Sequence, residues 1–274
     1  MTSVSKDQGQ DQNALAQELR ALHKPGTPLL LTNIWDAITA SAVAPLERTR
    51  ALATASFAIA AAAGLEDDDL TLEVNLHAIR GIARVAKQHG KPLTVDLQDG
   101  YGSRLEEAVR AIIGLGAVGC NLEDYGREED GGKGALYDIA TAQARISKVV
   151  EVAKELGVPD FVVNARTDAL LHGRPLEEAV ERGTKYLEAG AANVFVWGGR
   201  ERGGISREEV ERLVEVFGGR LNVIKRFMPG ALTVPELGKM GVSRISLGPG
   251  LMWKVKDFMK EQVEDLWVLD EDGS

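Results

Sequence analysis

A short pattern recurs along the chain: an amphipathic stretch, one or two glycines, and then a brief apolar segment. Residues 87–90 before 93–95 show it, and so do residues 187–190 before 193–196. Glycine at a helix end followed by a buried strand is typical of helix-to-strand loops. Eight segments of this kind predict strands, at residues 29–33, 51–56, 93–97, 118–122, 161–165, 193–197, 222–226 and 243–247.

Helical patterns occupy most of the intervals, for example residues 105–115 and 176–189. Serial βα units predict an α/β protein with a (β/α)8 TIM barrel, in which function lies at the carboxyl ends of the strands. A doubly wound open sheet is the alternative, but it normally has fewer repeats and a nucleotide loop after its first strand. Residues 1–13 are predicted to be a disordered tail. Residues 14–274 are predicted to form a single barrel domain with a C-terminal helical extension.

The composition restricts the possible partners. A length of 274 residues is common for a one-domain barrel, and the net charge of -9 disfavours nucleic acid. The single cysteine, Cys120, excludes an intrachain disulfide and fits a reducing compartment. No stretch approaches the roughly 20 apolar residues of a membrane span. We therefore expect a cytoplasmic protein that binds neither nucleic acid nor membranes.

Acidic residues follow successive predicted strands, where Asp96 ends the third and Glu123 follows the fourth. Because charges are costly to bury in a core, these positions suit the open face of a barrel. Asp96 and Glu123 could face one Mg²⁺ ion, which usually takes only one or two carboxylates directly. Asp67 could support the ion through water, or it could belong to a solvated turn before the next helix. Gln98 lies two residues beyond Asp96, so both side chains would point the same way in an extended chain.

Arg166 follows the fifth predicted strand and offers a forked donor for a carboxylate or phosphonate. The alternative is a salt bridge with Asp168 at the barrel rim. A bound 2-oxo acid would chelate the metal through its keto and carboxyl oxygens. The cation would then stabilise the enolate that forms when a bond at C3 breaks. Asp99 either caps the helix that starts near Arg104 or contributes to the site.

Five ordered segments between about residues 29 and 251 resemble the isocitrate lyase/phosphoenolpyruvate mutase superfamily. They are Asn33-Ile34-Trp35-Asp36-Ala37, Ala63-Gly64-Leu65-Glu66-Asp67, Val95-Asp96 with Gly100-Tyr101-Gly102, Asn121-Leu122-Glu123-Asp124 and Ala165-Arg166-Thr167-Asp168. The resemblance implies a TIM barrel whose last helix is exchanged between subunits of a homodimer, and dimers that pair into a homotetramer.

The resemblance also implies roles for individual residues. Asp96 would bind Mg²⁺ directly, with Mn²⁺ as a substitute. The water-mediated metal positions would be those of Asp67, Gln98 and Glu123. Arg166 would bind the substrate. Arg166 and Glu123 would be the catalytic residues. The remaining substrate contacts would come from Asp96 and from the backbone amides around Ser56 and Phe57.

The chain departs from the superfamily pattern at several positions. Gln98 stands where members usually have Asp or Glu, which removes one negative charge near the metal. Residues 125–134 lack the Lys-Lys/Arg-Cys-Gly-His run of the isocitrate and 2-methylisocitrate lyases, whose cysteine is the general acid. Cys120 cannot replace it from inside a strand. The segment is predicted to be a flexible, glycine-rich lid. Either Arg127 or Lys133 could close on an anion or be a solvated surface charge.

These observations predict a Mg²⁺-dependent lyase or hydrolase that cleaves a C–C or C–P bond of a small, anionic 2-oxo acid through a metal-stabilised enolate. The missing cysteine argues against an isocitrate-type lyase. A phosphonopyruvate hydrolase or phosphoenolpyruvate mutase is one alternative. A catalytically inactive ligand-binding or scaffold barrel is another, supported by Gln98 and the unusual lid.

Overall fold

The computed structural model describes residues 6–271, with side chains from residue 11 to 267. Its strands are β1 (Leu29–Ile34), β2 (Leu52–Thr54), β3 (Leu93–Asp96), β4 (Gly119–Glu123), β5 (Tyr125–Gly126), β6 (Ala135–Leu136), β7 (Val162–Thr167), β8 (Asn193–Val196), β9 (Leu221–Ile224) and β10 (Arg244–Ser246). Its helices are α1 (Lys6–Leu22), α2 (Ala37–Val43), α3 (Ser56–Ala62), α4 (Leu72–Gln88), α5 (Leu105–Gly114), α6 (Glu129–Gly132), α7 (Ile139–Glu155), α8 (Leu176–Glu188), α9 (Arg207–Phe217), α10 (Val234–Lys239) and α11 (Gly250–Glu271).

Eight of the strands close into a parallel barrel in the order β1-β2-β3-β4-β7-β8-β9-β10, and β10 pairs with β1. Each predicted strand corresponds to one of these eight, within two residues at either end. The predicted TIM barrel is therefore confirmed, and the open sheet is wrong. The remaining pair, β5 and β6, forms a short antiparallel hairpin in the segment predicted to be the lid.

Local sequence signals explain where the surrounding helices begin and end. The Thr71 side chain accepts the backbone N–H of Val74 at the start of α4. Ser206 and Glu209 form a reciprocal capping box at the start of α9, which ends at Gly218 in the left-handed conformation (φ 59°). Such caps satisfy backbone groups that a helix end leaves unpaired, so these helices stop at defined residues.

The amino terminus differs from the prediction. Helix α1 begins at Lys6, so the disordered tail predicted for residues 1–13 is wrong for residues 6–13, while residues 1–5 lie outside the described residues. The Gln12 amide donates to the backbone carbonyls of Ile113 and Ala117 at 2.9 and 2.8 Å. Asn13 donates to Asp160 at 3.0 Å. These contacts join the helix to the barrel, which a reading of its polar composition does not reveal.

The last helix, α11, leaves the barrel after β10. Its side chains are exposed from Trp253 to Trp267. Leu30, on the neighbouring strand β1, is 40% exposed although it belongs to a barrel strand. The face of β1 that a packed final helix would cover is therefore open. Within residues 6–271, no helix is both long enough and apolar enough to span a membrane.

The interior of the barrel is unusually polar. Barrel interiors are normally filled by layers of Val, Ile and Leu side chains. Here the strands also bury polar side chains, namely Thr94, Asn164, Asn193, Asn222, Arg244 and Ser246. The apolar core lies mainly between the strands and the helices outside them. A polar cavity therefore extends into the barrel from its carboxyl-terminal face.

Candidate active site

A cavity of about 380 Å³ opens at the carboxyl ends of the barrel strands. Most of the predicted site residues line it, namely Ser56, Phe57, Asp67, Asp96 and Arg166. Glu123 and Gln98 do not line it, because both are buried beside it, with exposures of 5% and 1%. The structure thus brings the predicted residues together at one cavity: five of them line it, and Gln98 and Glu123 are buried beside it.

Asp96 is the last residue of β3 and is held in a fixed orientation. Its Oδ2 accepts the backbone N–H of Ser56 at 3.0 Å, and its Oδ1 accepts the Asn121 side-chain amide at 3.0 Å. Oδ1 also accepts the backbone N–H of Gln98 at 3.4 Å, whereas Oδ2 has further acceptor capacity for a cation. The Ser56 amide, predicted to hold the substrate oxyanion, donates to Asp96 in this arrangement.

Asp67 lies in a 3₁₀ turn, Asp67–Asp69, on the same cavity. Burial raises its pKa, and the negative charge of Asp96 raises it further. The Gln98 amide donates to both the backbone carbonyl and the side chain of Asp67, at 2.7 and 3.1 Å. Gln98 has a left-handed backbone (φ 53°), so the expectation that it extends in parallel with Asp96 is wrong. Gln98 instead holds the second carboxylate of the cavity in place.

Glu123 lies at the end of β4 between two arginines. Its Oε2 accepts from Arg166 at 2.9 Å, and its Oε1 accepts from Arg127 at 2.8 Å. Burial raises the pKa of Glu123, whereas the two guanidinium groups favour its carboxylate form. In this arrangement Glu123 positions both arginines, and its predicted water-mediated contact with the metal stays a prediction.

Arg166 belongs to β7 and forms a forked pair with Asp168, at 2.7 and 2.9 Å. The salt bridge weighed as an alternative from the sequence is therefore present. It does not exclude contact with substrate, because a guanidinium has five N–H donors and Arg166 lines the cavity. Its third ion-pair contact is with Glu123, so the group is held by two carboxylates before any ligand binds.

Comparison with known proteins identifies the family of this fold and site. Residues 19–267 match the family model "Phosphoenolpyruvate phosphomutase". An uncharacterized protein of Mycobacterium tuberculosis (strain ATCC 25618 / H37Rv) is 30% identical over 230 residues, 83% of this chain and 80% of that protein. A phosphoenolpyruvate phosphomutase of Streptomyces hygroscopicus is 30% identical over 199 residues, which are 71% of this chain and 62% of that protein.

The chain belongs to the phosphoenolpyruvate phosphomutase family. A solved structure of a phosphonomutase-like protein from Burkholderia cenocepacia J2315 superposes with a TM-score of 0.80 at 32% identity, covering 93% of this chain and 99% of that one. These matches confirm the resemblance seen in the sequence and the enzyme class, because the relatives whose activity is named include the mutase of Streptomyces hygroscopicus and a 2-methylisocitrate lyase of Escherichia coli (strain K12).

The oxygen-rich cavity fits a hard divalent cation such as Mg²⁺. Within the part of the chain that the structure describes, no group of three or more His, Cys, Asp or Glu side chains forms a closed metal site. Mg²⁺ does not require one, since it keeps several waters and takes one or two carboxylates. Asp96 and Asp67 supply oxygen donors of that kind, and their mutual repulsion favours a cation between them.

The segment predicted to be a lid contains β5, α6 and β6. Arg127 reaches from it into the site, donating to Glu123 and, at 3.0 Å, to Asp68. Its guanidinium is thus paired with acids, and the solvated alternative is wrong for this residue. Lys133 is exposed on the lid surface. The Tyr125 ring stacks on His172 with centroids 4.4 Å apart, which fixes the base of the hairpin.

Sequence reasoning missed the role of two asparagines. Asn164 donates to Asn121 at 2.8 Å, and Asn121 donates to Asp96, so a chain of side-chain amides supports the predicted metal ligand. The available signal was amide side chains repeated inside apolar strands. Asp99 accepts the backbone N–H groups of Tyr101 and Gly102 and so fixes the turn after β3. It does not cap α5, whose first turn has no side-chain cap, and it does not line the cavity.

Proposed function

We propose that the protein is a Mg²⁺-dependent lyase or hydrolase that cleaves a C–C bond of a small 2-oxo acid, with Mn²⁺ as a substitute ion. The observation that carries this proposal is the convergence of Asp96, Asp67 and Arg166 on one cavity of about 380 Å³. The two carboxylates suit a divalent cation, and the arginine suits the anionic end of the substrate.

The residues around this cavity have complementary tasks. A bound cation would supply the positive charge that stabilises an enolate when the bond at C3 breaks. Asp96, oriented by Ser56 and Asn121, and Asp67, held by Gln98, would hold that cation. Arg166 would bind the substrate carboxylate and align it, because Asp168 and Glu123 fix the plane of its guanidinium.

The proton donor is not a cysteine. Cys120 is fully buried, and burial raises the pKa of its thiol to about 12. Its side chain is therefore a neutral packing group in β4. Within the segment predicted to be the lid, Arg127 contacts Glu123 beside the cavity. We infer that protonation of the product comes from water or from a lid group other than a thiol.

Activity measurements on a panel of 2-oxo acids and phosphonates test the proposal. Wild-type protein with Mg²⁺ should release a 2-oxo acid fragment from at least one carbon-based substrate. Asp96→Asn and Arg166→Met should abolish this release while circular dichroism shows an intact fold. Turnover only of phosphonates, seen by phosphorus NMR, would favour the phosphonopyruvate hydrolase or mutase alternative. Full activity of either variant would exclude the proposed roles.

We also propose that α11 is exchanged between subunits of a homodimer or homotetramer. The exposed apolar side chains of α11 include Phe258, Met259 and Leu266, at 60%, 61% and 64%. A partner's helix seated over Leu30 would cover both surfaces. Deletion of α11 should give monomers in analytical ultracentrifugation, and a monomeric wild-type protein would contradict the proposal. The single buried cysteine supports a reducing location such as the cytoplasm.

A further inference from the structure

A buried arginine inside the barrel lacks an ion-pair partner. Arg244, the first residue of β10, is 3% exposed and lines the same cavity as Asp96. Among residues 11–267, no carboxylate lies within 4.0 Å of its guanidinium, and its Nε has no hydrogen-bond partner. Asp96 attracts it only from a longer distance. Buried charges in proteins are normally paired, so this arrangement requires an explanation.

The neighbouring groups do not neutralise Arg244. His23 Nδ1 lies 2.7 Å from the Leu19 carbonyl, which can only accept, so Nδ1 carries the proton. His23 Nε2 is then an acceptor, 3.5 Å from Arg244 Nη1. Burial and the charge of Arg244 lower the pKa of His23 to about 3, so the ring is neutral. Cys120 is likewise a neutral thiol, because burial raises its pKa.

Arg244 remains charged in this environment. Burial lowers its pKa to about 10, which is still well above neutral pH. A second buried arginine, Arg182, shows the usual arrangement. It is 4% exposed, and it pairs with Asp124 at 3.2 Å and with Glu178 at 2.9 Å. The contrast shows that the fold can compensate a buried guanidinium and does not do so at Arg244.

The cavity around Arg244 contains further unused polar groups. Thr94 Oγ1, Asn164 Oδ1 and Asn222 Oδ1 are buried without a hydrogen-bond partner, and all three residues line the cavity. A hydroxyl can donate or accept, and an amide can present either its oxygen or its NH₂ group. A ligand that carries oxygens could therefore be bonded by this floor as well as by Arg244.

We propose that Arg244 forms an anion-binding subsite for a carboxylate group on the floor of the barrel cavity, separate from the subsite of Arg166. The carboxylate could belong to the far end of a dicarboxylic 2-oxo acid or to a free small acid. The first source rests on the proposed function, whereas binding of a free acid does not.

A metal-free experiment tests the subsite itself. Acetate is titrated by calorimetry into the full-length protein in a bulky sulfonate buffer with EDTA. Wild-type protein should bind acetate, and Arg244→Met should weaken binding about 10- to 100-fold, the loss expected for a charge-assisted hydrogen bond. Arg212→Met, at an exposed arginine outside the cavity, is the matched control and should bind acetate as wild type does. Equal binding by Arg244→Met and wild type, or no binding by wild type, would overturn the proposal.

A second experiment distinguishes the sources of the carboxylate. With Mg²⁺ present, the affinities of pyruvate and oxaloacetate are compared for wild type and Arg244→Met. Selective loss of affinity for oxaloacetate would place the far carboxylate of the substrate on Arg244. Loss of acetate binding with unchanged affinity for both 2-oxo acids would indicate a free acid. Either result supports the subsite, and failure of all Mg²⁺-dependent binding with intact acetate binding would count only against the proposed function.

Thermal denaturation gives a readout that does not depend on ligand binding. In the same anion-poor buffer, Arg244→Met should raise the melting temperature, because it replaces an unpaired buried charge with an apolar group of similar length. Arg182→Met should lower it, because that change leaves Asp124 and Glu178 without their partner. If Arg244→Met melts at a lower temperature than wild type and binds acetate with the wild-type affinity, Arg244 has a purely structural role.

Discussion

Replacement of Asp168 by asparagine is the most quantitative test of how the site is held. Asp168 is 2% exposed and accepts two hydrogen bonds from Arg166 in a forked pair. Asparagine has the same shape but offers one acceptor where the carboxylate offers two, and it has no charge. The backbone N–H of Asp168, which donates to Asp124, is unaffected. The substitution therefore isolates the ion pair.

The expected loss of stability is large for a change of so few atoms. Removing one partner of a buried ion pair costs about 3–5 kcal/mol. In a domain of this size that corresponds to a fall in melting temperature on the order of 10 °C. Asp168 also raises the pKa of Glu123, so the variant should lower that pKa and keep Glu123 ionised beside Arg166.

Thermal denaturation followed by circular dichroism measures the effect, with Glu107→Gln as the matched control. Glu107 pairs with Arg104 at 2.7 Å, but both side chains are largely exposed, at 59% and 40%. Exposed ion pairs contribute little to the free energy of unfolding, so the control should have the melting temperature of the wild type. If Asp168→Asn melts within about 2 °C of the wild type, the pair does not hold Arg166 and the reasoning fails.

Three further predictions follow from single residues. Cys120, buried with a pKa raised to about 12, should resist a thiol reagent in the native protein and react after unfolding; stoichiometric labelling of native protein would contradict this. Because the pKa of Asp67 is raised, protons should displace Mn²⁺ at a higher pH than for an ordinary aspartate, and calorimetry across the acidic range should show a weaker pH dependence in Asp67→Asn. His23 has its pKa lowered from 6.5 to about 3, so its contribution to stability is complete above pH 6.5 and is lost as the pH falls toward 3. Urea unfolding of His23→Gln should therefore depend less on pH over that range, and an unchanged dependence would show that His23 is not buried as a neutral ring.

The barrel could be predicted from the sequence because its signals are local and repeated. Glycine after an amphipathic stretch, followed by an apolar segment, marks each helix-to-strand unit. The strand ends at Asp96 and Glu123 were predicted for the same reason, since a charge cannot continue a buried strand. Their membership of one site then follows from the parallel topology, which places the carboxyl ends of all strands at one face.

The remaining features of the site depend on contacts between distant segments. Gln98 turns away from an extended path because its backbone is left-handed, and its partner Asp67 is 31 residues away. Arg127 meets Asp68 across 59 residues. The lack of an ion-pair partner for Arg244 among the described residues can be recognised only when its neighbours inside the barrel are known. Periodicity carries no information about such pairings, so the sequence alone could not assign them.

Calorimetric titration of Mn²⁺ into wild type and Asp96→Asn, with and without oxalate, tests the central claim most directly. Oxalate has the paired oxygens of a 2-oxo acid and would chelate the ion in the same way. The account predicts that wild type binds one ion per chain, that oxalate strengthens this binding, and that Asp96→Asn loses it. Equal Mn²⁺ affinity in the two proteins, or no binding by wild type in the presence of oxalate, would contradict it.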